Sequence, residues 1–323
     1  MSSVAQDPTA SSTSLERRGI PLGDLLFRGI AGAAALGVTI LLGVIAWKVL
    51  DLARPAIDVF GLSFIWTEIW NPVTDDYGAL TFVYGTVVTS FIALVIATPL
   101  SIAIALFLTE IAPRRIAAPI ATMVELLAAI PSVVLGLWGI LVFGPWVRDH
   151  LEPWLDSTVG TFIPIFSGDP NQAGILPAAL VLTIMIIPIT SAICRELFVR
   201  TPRELTDGAM ALGSTRWEAI RGVMFAYAAP GIMAAVLLGL GRAFGEAIAV
   251  TQVIGGADFI SSSLFAPGDT LGSRIASQYQ GATTPLQQGS LLYLAAILMV
   301  ISLTTNVIAQ VIVRRFEKQR RAA

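Results

Sequence analysis

Cysteine, histidine and lysine are all scarce in this chain of 323 residues, and so is charge of either sign. A single cysteine, Cys194, rules out a disulfide within the chain. With His150 as the single histidine, zinc sites built on Cys and His clusters are excluded too, and no metal site is expected. A Ser-His-Asp site has only His150 to draw on. It lies in VRDHLEPW with no nucleophile motif nearby, so a solvated loop histidine is expected. The only lysines are Lys48, after Trp47, and Lys318, after Glu317. A Walker A loop needs GxxxxGK followed by Ser or Thr, so none can be written. This chain cannot hydrolyse ATP by that route.

Charged residues make up 13% of the chain and hydrophobic residues 55%. Soluble domains carry roughly 25% charged residues. The uncharged runs Gly29–Trp47, Tyr77–Thr109, Leu126–Val147, Asn171–Cys194, Gly222–Gly241 and Ile275–Val313 each reach the ~18 residues of a membrane-spanning helix. The fold class is an all-α membrane protein with six transmembrane helices, at about 29–50, 80–108, 117–145, 174–199, 221–252 and 287–313. The polar start, MSSVAQDPTASSTSLERRG, does not read as a signal peptide, and IPLGDLLFRG after it reads as membrane-skirting.

Basic residues set the orientation. With the N-terminus inside, the outer segments hold Lys48, Arg54, Arg148 and Arg274, and Arg242 is intramembrane. That leaves 15 of the 20 Lys and Arg residues inside. Both termini are expected to face the cytoplasm. The outer segments are acidic by contrast, and FIWTEIW reads as an interfacial stretch among them. Pro99, Pro131, Pro188 and Pro230 fall within spans, either as kinks that shape a pathway or as ordinary packing features.

Arg242 and Glu246 interrupt the apolar stretch GLGRAFGEAIAV four residues apart. A charge at the centre of a span costs ~2.5–3.5 kcal/mol. Four residues is one helical turn, so the two are expected on one face, able to neutralise each other. Apolar replacements would serve stability at least as well, so a polar cavity is the expected setting. The alternative is an ion pair that only fixes packing. A guanidinium suits an oxyanion, with planar donors and a permanent charge. Glu125 is a third intramembrane charge, in MVELLAAIPSVVLGLWG. It either snorkels to the inner surface or pairs with Arg242 or a partner chain.

The inner segment RTPRELTDGAMALGSTRWEAIRG carries two helix starts. Thr201, Pro202 and Glu204 read as cap, first position and capping-box partner, and Gly213 as the stop. Thr215 to Glu218 reads as a second capping box. A short helix at about 202–212 is marginal alone in water, so a packing partner is expected.

DGAMALG followed by AAPGI resembles the EAA loop of ABC-transporter membrane subunits. Asp207, Gly208, Ala209 and Gly213 match the motif, with Asp for Glu, Gly for Ala, and Ala226 at the motif proline. GLGRAFGEAIAVTQVIGG, ELLAAIPSVVLGLWGI and YGTVVTSFIALVIATPLSIAIALFLTEIAP resemble the PstC-type permeases of bacterial phosphate ABC transporters, from about residue 25 onward.

That resemblance implies a type I ABC importer permease fold in the bacterial inner membrane. It implies a cytoplasmic tail at 1–27, a six-helix permease domain at 28–316 with a coupling loop at 200–220, and a second tail at 317–323. It places Arg242 and Glu246 on the substrate path, and Asp207, Gly208, Ala209 and Gly213 at the ATPase. Glu125 is counted with the path as an intramembrane charge, and Glu204 with the coupling helix as its capping-box residue. The implied partners are a PstA-type permease, two PstB-type ATPases that hydrolyse ATP with magnesium, a PstS-type external phosphate-binding protein, and membrane lipid. No cofactor is expected in this chain, and no nucleic acid. The competing readings are an ABC permease for another oxyanion or solute, a secondary transporter and a membrane-embedded enzyme.

Overall fold

The computed structural model describes residues 22–322. The chain forms two compact units, Met1–Lys48 and Val49–Ala323. Helix α1 (Leu22–Phe60) starts in the first and ends in the second. Most of the predicted N-terminal tail lies outside the described residues. Its last stretch, predicted to skirt the membrane, is helical from Leu22 and continuous with the first span. In the first unit Leu26, Ile30, Leu36 and Leu41 are all exposed. A helix that is apolar on every side belongs in a membrane or a large core.

Among the described residues six helical stretches are long and apolar enough to cross a bilayer: Leu26–Ile65, Leu80–Ile111, Ser132–Thr158, Ile175–Val199, Arg216–Gly245 and Pro285–Arg314. We name the helices α2 (Leu80–Leu106), α3 (Arg114–Ala128), α4 (Ser132–Thr158), α5 (Ile175–Val199), α6 (Arg203–Ala211), α7 (Arg216–Gly245), α8 (Ile248–Val253), α9 (Leu271–Gln278) and α10 (Pro285–Ala322).

The third span departs from expectation. Residues 117–145 do not form one helix. The chain breaks at Pro131, which caps α4 at φ −58°. Proline carries no N–H and disfavours helix in the residue before it, so α3 closes at Ala128. The span is the later stretch, Ser132–Thr158, and α3 is a separate helix carrying Arg115, Thr122 and Glu125. His150 is therefore helical. Its ring stacks on Trp146 at 5.8 Å, at the end of a ladder running from Trp138 through Phe143.

In the second unit α2 and α5 pack along one another, and α7 lies against α5 and α10. Ala93, Ala97, Ala178 and Ala243 are fully or nearly buried in that seam with Leu182 and Ile186. Small side chains let helix backbones approach, the usual source of packing energy where lipid competes for apolar surface.

FIWTEIW is not an interfacial belt throughout. Phe64 is fully buried and stacks on Tyr293 at 4.5 Å. Trp70 is buried too, edge-on to Tyr77 at 4.9 Å and to Phe82 at 5.1 Å. A two-stranded hairpin, β1 (Trp70–Asn71) with β2 (Asp76–Tyr77), presents those rings to the core. Trp66 does remain exposed. At Gly85 a Cβ atom would come within 1.9 Å of the Asp269 carbonyl oxygen. Only glycine lets α2 meet the 254–270 loop so closely.

Candidate functional site

Arg242 and Glu246 line one open cavity of about 520 Å³, with Ile189 of α5, Gly241 and Gly245 of α7, and Asn306 of α10. They are not a helical pair on one face. Helix α7 ends at Gly245, and Glu246 is extended at φ −79°, ψ 108°. The chain re-enters helix at Ile248. Glycine is the weakest helix former after proline, and Gly241 and Gly245 both precede the break. The Glu246 Oε1 accepts the Ala249 N–H at 3.3 Å, holding the carboxylate against α8. Among the described residues no ion pair joins Arg242 to Glu246. Arg242 is exposed, in the last turn of α7, where the helix dipole favours a cation. Leu237 and Leu238 of α7 complete the wall, so a fixed cation and a separately held carboxylate face one largely apolar cavity.

Glu125 lies elsewhere. It sits on α3, and the Arg195 Nη2 of α5 donates to its Oε1 at 2.6 Å. Both side chains are partly exposed, at 54% and 34%. Of the alternatives open to Glu125, a pair with Arg242 is replaced by this one.

The loop between α5 and α7 forms helix α6. Its start differs from expectation: Pro202 is the cap residue and Thr201 is buried. The Thr201 Oγ1 donates back to the Leu197 carbonyl at 3.2 Å, so it ends α5 instead of opening α6. The stop is as the sequence suggests. Gly213 has φ +94°, its N–H meets the Met210 carbonyl, and the Ser214 N–H meets the Ala209 carbonyl. That is the paired closure of a left-handed glycine cap. The Thr215–Glu218 capping box is formed in both directions. No residue of α6 is buried. Leu205, Met210 and Leu212 are exposed, Leu212 at 91%. Asp207 and Arg203 line a second cavity of about 400 Å³ beneath the helix. Arg216 closes its side by donating to the backbone carbonyl and the carboxylate of Glu110. Glu204 and Gly208 stay exposed, and Ala209 is half-buried.

One charged cluster escaped the sequence. Arg274 and Asp269, counted only as outer charges, form an ion pair at 2.8 Å with side chains 6% and 2% exposed. Arg274 stands over the Phe82 ring at 4.5 Å. Burial pushes the Asp269 pKa up, and the Arg274 charge pulls it back only in part. Nothing in DTLGSR marks this pair. It depends on α2 and the hairpin closing around it.

Among the described residues the chain thus holds six apolar spans, a cavity with a cation in no ion pair, and an exposed short helix on a capped loop. Residues 97–318 match the family described as binding-protein-dependent transport system inner membrane component, and the chain belongs to it. Within that family it groups with the phosphate transport system permease proteins called PstC. It is 42% identical over 310 residues to the one from Mesorhizobium japonicum, covering 95% of each chain. It is 40% identical to the one from Pasteurella multocida, covering 92% of this chain and 93% of the relative. The fold is also similar to a membrane chain of a bacterial alginate ABC transporter, at TM-score 0.58 and 15% identity, covering 91% of this chain and 98% of that one.

Proposed function

We propose that this chain forms half of the translocation path of an ATP-driven inorganic phosphate importer. The observation that carries this reading is the Arg242 guanidinium, exposed to a cavity between α5, α7 and α10 and in no ion pair among the described residues. A guanidinium holds a tetrahedral oxyanion through parallel hydrogen bonds and never loses its charge. Glu246 repels a full anion but accepts a hydrogen bond from the hydroxyl of hydrogenphosphate, which favours phosphate over fully ionised sulfate. The names of the relatives agree with that cargo.

The chain is passive. A PstA-type permease would complete the path, two PstB-type ATPases would hydrolyse ATP with magnesium, and a PstS-type protein would deliver phosphate from outside. Helix α6, with its exposed Leu205, Met210 and Leu212, would seat Glu204, Asp207, Gly208 and Ala209 against an ATPase. Gly213 makes the turn that presents it. ATP binding draws the ATPases together, and α6 passes the motion to α5 and α7, switching the cavity from outward to inward access. Glu125, held by Arg195, steadies α3 against α5 beside that path. Both termini face the cytoplasm in this scheme.

Uptake of labelled phosphate at low external concentration, with and without this gene and with excess sulfate, tests the cargo. Gene-dependent uptake that ignores sulfate supports it. A scrambled 203–213 loop should abolish uptake while the permease stays folded in the membrane. Full uptake with the scrambled loop would contradict the coupling.

A further inference from the structure

We propose that Asn306 is a specificity-determining residue of this path, its carboxamide completing with Arg242 a ligand set for a protonated tetrahedral oxyanion. The inference rests on the phosphate path above and names a contact that the sequence motifs do not contain.

Asn306 lies on α10 between Leu303 and Ile308, both exposed apolar side chains. It is the one uncharged polar side chain on the wall of the Arg242 cavity. Among the described residues its carboxamide has no hydrogen-bond partner. A carboxamide left unpaired in hydrocarbon is costly. Polar groups in spans therefore face a wet cavity or a neighbouring helix. Here the cavity is present, with a cation and a carboxylate already in it. Cβ atoms built on Gly241 or Gly245 meet nothing within 4 Å, so the α7 wall leaves open space on that side.

The three polar groups have different capacities. Arg242 only donates. The Glu246 carboxylate only accepts, and its Oε1 is engaged by Ala249. Asn306 does both: its NH2 donates to an anionic oxygen, and its carbonyl accepts from a hydroxyl. Hydrogenphosphate carries both kinds of oxygen, whereas sulfate has no proton to give. A site built to bond a substrate hydroxyl rejects the analogue without it, because its own polar groups are left unpaired. Arg242 therefore selects for negative charge, and Asn306 adds to the selection among oxyanions that the remaining Glu246 oxygen makes.

The test uses the assembled transporter in vesicles with Asn306→Leu, Asn306→Ser and Asn306→Gln, beside Arg242→Gln. Phosphate KM, maximal rate and inhibition by sulfate are measured, with co-purification of the ATPase as the assembly check. Asn306→Leu and Asn306→Ser should raise KM roughly tenfold, the effect of one lost hydrogen bond to a charged ligand. The maximal rate should hold, and sulfate should become a better competitor. Asn306→Gln should restore part of the discrimination. Unchanged KM and sulfate inhibition in the Asn306 variants, with Arg242→Gln inactive, overturns this inference and leaves the path intact. Loss of assembly in all three variants also overturns it, assigning Asn306 to a helix interface. Normal uptake by Arg242→Gln removes the path itself.

Discussion

Arg274 and Arg242 stand near carboxylates in the same unit under opposite conditions. Arg274 is 6% exposed, 2.8 Å from Asp269, and roofed by Phe82 and Trp70. Arg242 is exposed to a cavity, and Glu246, on the same wall, accepts the Ala249 N–H and forms no ion pair with it among the described residues. The first arrangement neutralises a buried cation from within the chain, although the Arg274 Nε–H finds no well-aligned acceptor. The second leaves the charge unmet, which a membrane segment tolerates only where water or substrate meets it. Sequence alone ranks them the other way round in conspicuousness. Arg242 interrupts a greasy run, while Arg274 looks like an ordinary loop charge.

The sealed pair gives the largest expected effect. Asp269→Ala strands a buried cation and should cost about 3–5 kcal/mol, read as loss of thermal stability of the purified protein. Replacing both residues by apolar ones of similar volume should recover most of that loss, because burial already works against the Asp269 charge. A double variant as unstable as the single one would show that the pair has a function beyond packing. The half-exposed Glu125–Arg195 pair falls between the two extremes. Glu125→Gln should cost about 0.2–1 kcal/mol and leave phosphate KM within about twofold, since solvent screens such pairs. A large rise in KM would move Glu125 onto the path directly.

The smallest effect concerns Tyr77, in the sealed cluster with Trp70. Burial first, and then the Asp75 carboxylate that accepts its hydroxyl at 3.2 Å, push its pKa up to about 12. The folded value lies above the unfolded one, ~10. Its contribution to stability is therefore complete below pH ~10 and is lost as pH rises through about 12. Ultraviolet titration should show a late tyrosine phase, and Tyr77→Phe should reduce its amplitude by one residue.

The spans were legible because lipid demands long uncharged runs, and six such runs are present. The third was misplaced by some 15 residues because hydropathy sees the apolar run but not the proline break at its start. The α6 stop and the Thr215 capping box were legible because both are local devices, written in consecutive residues. The α6 start was not. Thr201 had two acceptable uses, and packing at the end of α5 chose the other. The helix break between Arg242 and Glu246 was hidden because four-residue spacing predicts one face only where the helix continues. Asn306 and the Arg274–Asp269 pair were invisible for one reason: their settings are made by elements far away in the chain.

The central claim is that Arg242 is left unpaired to meet substrate. It is tested most directly by phosphate uptake in vesicles holding the assembled transporter with Arg242→Gln, alongside its thermal stability. The account predicts uptake reduced by roughly a hundredfold or more, since a charged contact worth a few kcal/mol is lost. Stability and ATPase association should remain unchanged. Uptake near the unmodified rate, or a loss of stability like that of Asp269→Ala, would contradict it.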